Sequence, residues 1–175
     1  MFGDGRFMVP WNEFVKTLVA VTGGASTTEL EEALLSYIID ASQTNMVNKV
    51  KFNDFLQGFG PLCDCLTNLK TIVGAEWFFG FLSKSEAELA LANQPRGTFL
   101  VRFRITDDSY YAVACVMKDG GIIHALVKAV AGGGFTVRDN KVAGRVFPTL
   151  LALIQHYSSI FKKPLKYSLT NEVKI

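Results

Sequence analysis

The amino-acid sequence predicts an α+β protein with two regions, and two patterns carry this prediction. In residues 1–75 the apolar residues recur at helix spacing, as Trp11, Phe14 and Leu18 do. In residues 76–175 they instead alternate in short runs separated by glycine-rich turns, which is typical of strands. A helix is predicted before these runs and another after them. We therefore expect a central antiparallel sheet flanked by two helices, with an all-helical N-terminal domain packed against it.

Each element of the second region has its own signal. Ser83 and Glu86 form a capping box, which predicts that a helix begins there and continues to about Ala92. Asp119-Gly120-Gly121 is typical of a hairpin turn, and Phe147-Pro148 predicts the start of a last helix. The predicted strands are residues 98–104, 110–117, 122–130 and 135–137.

Composition and charge exclude several classes of protein. The chain has 175 residues, 49% of them hydrophobic, so it can bury a core, and its formal net charge is only +2. We expect no nucleic-acid partner and no membrane partner, because both usually require a dense basic patch. No apolar run approaches the roughly 20 residues of a membrane span, and no signal peptide is recognisable. The expected localisation is cytoplasmic, or the host cytosol for a pathogen effector; the oligomeric state stays open.

The cysteines and histidines indicate neither a metal site nor an active site. Cys63, Cys65 and Cys115 are few and odd in number, which argues against a disulfide framework and favours a reducing compartment. A zinc site needs about four ligands, and the first two cysteines have no cluster of His or Cys nearby. We expect no metal, no cofactor and no enzyme activity, because His124 and His156 lack a nucleophile partner in a recognisable motif.

Two arginines stand out in the first predicted strand. Successive side chains of a strand point to opposite faces, so Arg102 and Arg104 share one face of an otherwise apolar strand. An unpaired buried guanidinium is costly, so Arg102 needs an anionic partner. That partner is either an internal carboxylate or the phosphate of a ligand. Arginine suits phosphate because its planar fork donates two parallel hydrogen bonds.

The sequence around these arginines resembles a Src-homology-2 (SH2) domain. Residues 76–84 (EWFFGFLSK) followed by residues 97–102 (GTFLVR) are similar to the opening of that family. His124 stands where the family places a histidine of its fourth strand, and residues 133–135 (GGF) resemble the stretch before the next strand. The similarity extends over about residues 76–172 in the correct order and spacing.

This resemblance implies a site for phosphotyrosine peptides and a role for each matching residue. Arg102 would hold the phosphate with both guanidinium nitrogens, and Lys84 would reach the phosphate or the tyrosine ring. The loop after the strand would wrap the phosphate, with Thr106 as the hydroxyl candidate and Ser109 at its far end. His124 would lie beside the ring.

The sequence departs from the family pattern at two positions. Arg104 stands where a small hydroxyl residue is usual, so it either adds a second phosphate contact or points to solvent. Leu126 stands where Src-like members often have lysine, and it would give the ring an apolar wall instead. Residues that follow the phosphotyrosine would cross the strand of His124, with Ala125, Leu126 and Val137 as the surface that sets peptide preference.

The N-terminal region has two resemblances of its own. Residues 9–16 (VPWNEFVK) and 52–58 (FNDFLQG) are similar to parts of the linker domain of STAT transcription factors. Cbl proteins place an EF-hand before their SH2 domain in a comparable way. DNA binding does not follow from the STAT resemblance, because the DNA-contacting domain of that family is not represented in the chain.

Calcium binding is not expected in the EF-hand-like part. An EF-hand loop needs oxygen ligands at alternate positions, a central Gly and a terminal Glu. A loop with Val50 as its central hydrophobic residue and Asp54 as its last residue lacks both the carboxylates and the Gly. A loop that starts at Asp40 ends at Lys51. We therefore expect a calcium-free helical brace.

Two functions remain in view at this point. The first is a phosphotyrosine-peptide-binding module of intracellular signalling, whose partners are tyrosine-phosphorylated proteins. The second is a degenerate SH2-fold scaffold that does not require phosphotyrosine, with the charge of Arg102 satisfied internally.

Overall fold

The computed structural model of the chain describes residues 2, 5–23, 29–40, 42–106, 109–130, 133–138 and 144–166, with the backbone alone for residues 30, 31, 105, 106 and 109. The chain forms two compact units, Met1–Thr71 and Ile72–Ile175. Within the described ranges, no helix is long and apolar enough to cross a membrane.

The first unit is mainly helical, but it also contains a two-stranded sheet that the sequence did not predict. Its elements are β1 (Met8–Pro10), α1 (Trp11–Val21), α2 (Glu29–Ile39), β2 (Met46–Asn48), α3 (Lys49–Phe59) and the start of α4 (Cys65–Val73). Strands β1 and β2 are antiparallel, and the fully buried Val9 and Val47 lie opposite each other. Each strand has three residues, which is too short for an alternating pattern to be recognised. The prediction of an all-helical domain was therefore wrong in this detail.

Aromatic side chains build the core of the first unit. The ring of Phe14 meets the ring of Phe52 edge to face at 5.1 Å between centroids, and Phe55 and Phe59 continue the row along α3 with centroids 4.8 Å apart. Leu18 is also fully buried, one turn after Phe14. The helical face predicted from the spacing of these residues is confirmed.

The loop between α2 and α3 corresponds to the loop of an EF-hand, and the structure shows which valine is its central hydrophobic residue. Val47 is fully buried in the two-stranded sheet, whereas Val50 is 61% exposed on the first turn of α3. Asn48 caps α3, its side chain accepting a hydrogen bond from the backbone N–H of Val50 at 2.7 Å. The loop register with Val50 at its centre and Asp54 at its end was therefore wrong. A loop that starts at Asp40 instead places the buried Val47 at the central hydrophobic position, so this register fits the structure.

Asp40 is held by hydrogen bonds within its own loop. Its Oδ1 accepts from the backbone N–H of Thr44 at 3.0 Å and from the Thr44 hydroxyl at 2.8 Å. Burial raises the pKa of Asp40, but hydrogen bonds from Thr44 and from the backbone of Asn45 and Met46 outweigh it, so the pKa lies below its ordinary value. Among the described residues, no group of three or more His, Cys, Asp or Glu side chains is placed to hold a metal ion.

The second unit is a five-stranded sheet between two helices, which confirms the predicted fold class. Its elements are α5 (Lys84–Leu91), β3 (Thr98–Thr106), β4 (Ser109–Val116), β5 (Ile122–Ala129), β6 (Phe135–Val137), α6 (Leu150–His156) and β7 (Lys163–Pro164). The strand order is β6-β5-β4-β3-β7, antiparallel except that β7 runs parallel to β3. The four longer strand predictions are correct to within two residues, and β7 was missed.

The two faces of β3 pack against different parts of the second unit. Leu100 packs on the α5 side with Ala87 and Leu91 in one apolar cluster, whereas the ring of Phe99 lies on the other side, 5.5 Å from the ring of Phe161. The predicted alternation along β3 is confirmed. The start of α6 was predicted too early, because Phe147 bridges to β6 and Thr149 caps a helix that begins at residue 150.

Candidate functional site

The segment before α5 runs beside β3 and brings the start of that helix to the centre of the sheet. The backbone N–H of Val101 donates to the carbonyl of Trp77 at 2.7 Å, and the N–H of Phe103 donates to the carbonyl of Gly80 at 2.8 Å. Gly80 has a φ of +60°, a conformation that glycine adopts without strain. The chain therefore turns into α5 next to the middle of β3.

The predicted capping box at the start of α5 is confirmed. The Ser83 hydroxyl accepts from the backbone N–H of Glu86 at 3.1 Å, and the Glu86 carboxylate accepts from the backbone N–H of Ser83 at 2.7 Å. These two bonds fix the first turn of the helix. Lys84 is consequently the first helical residue of α5, two residues after Leu82, whose carbonyl accepts a hydrogen bond from Arg102 of β3.

Arg102 lies at the middle of β3 with an incompletely satisfied guanidinium. The residue is 7% exposed, its Nη1 donates to the carbonyl of Leu82 at 3.0 Å, and its Nε is buried without a hydrogen-bond partner. Burial lowers the pKa of Arg102, and the nearby charge of Arg104 lowers it further. Among the described residues, no carboxylate forms an ion pair with Arg102. Arg102 and Arg104 thus place two positive charges on this face, and no carboxylate among the described residues neutralises that of Arg102.

Small residues separate Arg102 from the strand on the far side of β4. Arg102 lies opposite Ala112, which lies opposite Leu126 on β5, and in the neighbouring row Ala114 lies opposite His124. Both alanines are fully buried. The structure therefore brings Arg102, His124 and Leu126 onto one face, with a floor of methyl groups between the arginine and the other two.

His124 is tied to helix α5 by a carboxylate that the sequence did not single out. Its Nε2 lies 3.1 Å from Oε1 of Glu88, while its Nδ1 is buried without a partner. Burial lowers the pKa of His124, and the charges of Arg102 and Lys84 act in the same direction, whereas Glu88 raises it; the net shift is downward. Burial of the side chain, which is 11% exposed, therefore favours the neutral imidazole.

Glu88 also contacts Lys84 and so joins two of the predicted site residues. Its Oε1 lies 3.6 Å from Nζ of Lys84, one helical turn earlier. A Lys–Glu pair at this spacing is a recognisable helix pattern, so the contact between them could have been found from the sequence. The contact with His124 could not, because it joins residues 36 positions apart.

The remaining predicted residues are distributed over both faces of the sheet. Arg104 is half-buried on the face of Arg102. The backbones of Thr106 and Ser109 pair at the end of the β3–β4 hairpin, but their side chains lie outside the described part of the chain. Ala125 and Val137 lie on the face opposite Leu126, since Ala125 pairs with Val113 and Val137 pairs with Val127.

Among the described residues, the outer edge of β5 is paired only along its second half. Strand β6 pairs only with residues 127–129, and the backbone N–H of Arg138 donates to the carbonyl of Leu126 at 2.8 Å. Within the described residues, nothing pairs with the outer edge of residues 122–125. This unpaired stretch includes His124, which lies on the face of the sheet that carries Arg102.

Two families match the chain, one for each half. Residues 77–157 match the SH2 domain, and residues 1–73 match the "CBL proto-oncogene N-terminus, EF hand-like domain". The chain therefore consists of an SH2 domain preceded by an EF-hand-like domain of the Cbl type. This class of domain is a phosphotyrosine-binding signalling module, and its partners in general are phosphotyrosine-containing proteins.

Relatives and a solved structure extend the comparison. The dual specificity protein kinase shkA of Dictyostelium discoideum is 34% identical over 125 residues, which are 66% of this chain and 24% of that protein. The E3 ubiquitin-protein ligase cblA of the same organism is 27% identical over 168 residues, which are 94% of this chain and 24% of that protein. The chain thus spans about a quarter of the length of these two curated relatives.

The structure of an "inactive choanoflagellate E3 ubiquitin ligase Cbl TKB" has the same fold. It superposes with a TM-score of 0.61 at 21% sequence identity, covering 94% of this chain and 47% of that chain. The similarity includes both the helical region and the sheet, so the order of the two domains agrees with the family matches.

Proposed function

We propose that this chain binds tyrosine-phosphorylated peptides and that Arg102 holds the phosphate. The observation that carries the proposal is the buried, unpartnered Nε of Arg102, on the same face as a second arginine, Arg104. A buried guanidinium without a described counter-ion requires an anion. A phosphate supplies two oxygens in the geometry of the guanidinium fork.

The surroundings of Arg102 suit an aromatic ring attached to that phosphate. Arg102, Ala112 and Leu126 form one row across three strands on this face, so the ring would lie along that row with the leucine as its apolar wall. His124 would line the same side. We assign Lys84 to the outer rim of the pocket, because its side chain is exposed on the first turn of α5.

The other predicted residues have supporting roles in this proposal. Arg104 adds positive charge to the phosphate site. Thr106 and Ser109 flank the hairpin loop, which would surround the phosphate oxygens. The residues after the phosphotyrosine would cross the outer edge of β5 from the face of Arg102 and Leu126 to the opposite face, where Ala125 and Val137 would set sequence preference.

The chain would act in the cytoplasm as a recognition module rather than as a catalyst. Both matched segments are domains of the binding type, and the match covers only about a quarter of the length of the relatives named as a kinase and a ubiquitin ligase. Recognition of phosphorylated motifs through arginine is a recurrent mode of peptide binding.

A peptide titration with matched arginine variants tests the proposal. A phosphotyrosine peptide library and its unphosphorylated counterpart are titrated by calorimetry against the wild type, Arg102→Ala and Arg102→Lys. Arg102→Ala should weaken phosphopeptide binding at least about thirtyfold, from roughly 2 kcal/mol or more for a buried charge contact. Arg102→Lys should recover only part of the loss, because lysine lacks the fork.

The control for this titration is the exposed Arg96, which lies before β3. Arg96→Ala removes the same charge and should leave binding within about twofold. Binding that ignores phosphorylation, or that Arg102→Ala leaves unchanged, contradicts the proposal and favours a scaffold role.

A further inference from the structure

The carboxylate of Glu88 lies among the cations of the proposed phosphate site. Its Oε1 contacts both Lys84 Nζ, at 3.6 Å, and His124 Nε2, at 3.1 Å. Its side chain is 43% exposed, so solvent and ligands reach it. A negative charge at this position is unexpected in a pocket that would receive a phosphate.

Glu88 neutralises one side of the site and leaves the other side uncompensated. Among the described residues it is the carboxylate that pairs with Lys84 and His124, and no described carboxylate pairs with Arg102. The ammonium of Lys84 is therefore directed along α5 toward Glu88 in the free protein. The guanidinium of Arg102, which lies in the same cross-strand row as Ala112, has no such carboxylate among the described residues and can bind an anion without first breaking an ion pair.

We propose that Glu88 is an internal competitor of the phosphate, which holds Lys84 in the free protein and releases it when a phosphotyrosine binds. This inference rests on the proposed function of the site. In the complex, Lys84 exchanges the carboxylate for the phosphate, while His124 stays hydrogen-bonded to Glu88. The ligand must thus break one ion pair and accept a like charge nearby.

The expected size of this competition is modest because the groups are partly exposed. Partly solvated ion pairs and repulsions at a distance of a few ångströms change equilibria by about three- to tenfold. Salt screens interactions of this kind, so the effect should shrink at high ionic strength. Glu88 would lower the affinity for phosphotyrosine peptides. It would also disfavour ligands with less negative charge than a phosphate, because these could not displace the carboxylate from Lys84.

A double-mutant cycle in the full chain tests the inference. Glu88→Gln, Lys84→Met and the double variant are titrated with one phosphotyrosine peptide and its unphosphorylated form, at low and high salt. Glu88→Gln should bind the phosphopeptide about three- to tenfold more tightly, and less so at high salt. The gain should be smaller in the Lys84→Met background, because no ammonium is left to be released and only the repulsion between Glu88 and the phosphate is removed.

A neutralised glutamate elsewhere provides the control. Glu76 is exposed and also precedes the sheet, so Glu76→Gln removes an equal charge and should leave affinity within about twofold. Unchanged or weaker binding by Glu88→Gln, or a gain that is undiminished without Lys84, overturns the competitor role. If the wild type binds without regard to phosphorylation, the proposed function fails and this inference fails with it. Phosphate-dependent binding that Glu88→Gln leaves unchanged overturns the inference alone.

Discussion

The imidazole of His124 and the carboxylate of Glu88 connect strand β5 to helix α5 across 3.1 Å. The same carboxylate oxygen also lies near Lys84 on the other side. One oxygen therefore influences both a titratable ring that lines the proposed pocket and a cation at its rim.

The pKa of His124 should respond in opposite directions to its two neighbours. Glu88→Gln should lower the pKa of His124 further, because it removes the charge that favours the imidazolium. Lys84→Met should raise that pKa, because it removes a repelling charge. Both shifts are measured by NMR titration of the imidazole protons, with His156 in the same spectra as internal reference. Shifts in the same direction for both variants would contradict the arrangement.

The lowered pKa of His124 also sets the sign of a stability change with pH. Because the folded protein binds this proton less readily than the unfolded chain, stability should decrease as the pH falls below the ordinary value of 6.5. The free energy of unfolding, measured by denaturant titration between pH 7.5 and 5.5, checks this direction. In His124→Gln the decrease over that range should be smaller.

Arg104→Ser should have two effects: weaker ligand binding and a more stable free protein. Arg104 repels the half-satisfied guanidinium of Arg102, so its removal should raise the unfolding free energy slightly, by up to about 1 kcal/mol. Loss of its charge should weaken phosphopeptide binding by roughly 1 kcal/mol, or about fivefold. Thermal melting of the free protein and calorimetric titration report the two effects. If binding is unaffected, Arg104 points away from the phosphate.

Ser83→Ala should destabilise the second unit through the loss of its helix cap. Replacing a capping serine costs about 0.5–2 kcal/mol, and here the hydroxyl accepts a bond of 3.1 Å from the Glu86 N–H. Ser85→Ala is the matched control, since this exposed serine lies within the first turn of α5, and its effect should stay within about 0.5 kcal/mol. Urea denaturation measures both. Equal effects would show that the cap contributes nothing specific.

The EF-hand-like loop should depend on Asp40 and be indifferent to calcium. Asp40→Ala leaves the Thr44 backbone N–H without its acceptor and should cost roughly 1–3 kcal/mol. Thr44→Val keeps that acceptor but removes the hydroxyl's bonds to Asp40 and to the Met46 backbone, and should cost about 1 kcal/mol. Millimolar calcium should leave the melting temperature unchanged, because Lys51 stands where a calcium loop ends in Glu. Calcium-dependent stabilisation, checked by calorimetry with a chelator control, would contradict this account.

The longer elements could be predicted from the sequence because each carries several residues of a regular pattern. The alternation in β3 and the capping box at Ser83 were enough to predict the strand of Arg102 and the helix start at Lys84, whereas a common site for the two residues was implied by the family resemblance. Strands β1, β2 and β7 were not predicted, because two or three residues show no period. Their positions depend on pairing with distant segments rather than on local sequence. Strand β6 is as short, but the glycine-rich turn before it indicated where it begins.

The candidate site was only partly predictable for the same reason. Arg102 stood out locally, as a charge within an apolar strand, and the family resemblance suggested its companions. Glu88 did not stand out, since an acidic residue on a helix surface is ordinary until β5 brings His124 to it. The separation of Leu126 from Ala125 and Val137 onto different faces follows from sheet register, which no local pattern reports.

Strand β3 has a discontinuous outer neighbour, and this has a mechanical consequence. Residues 77–80 cover the stretch around Val101, while β7 pairs only with Thr98 and Phe99, where the N–H of Leu165 donates to the Phe99 carbonyl at 2.8 Å. A tension applied along the chain after residue 166 would therefore load these few bonds first and peel β7 away before the wider β3–β4 ladder yields. Force on that end would reach the strand of Arg102 at its beginning, three residues before the arginine.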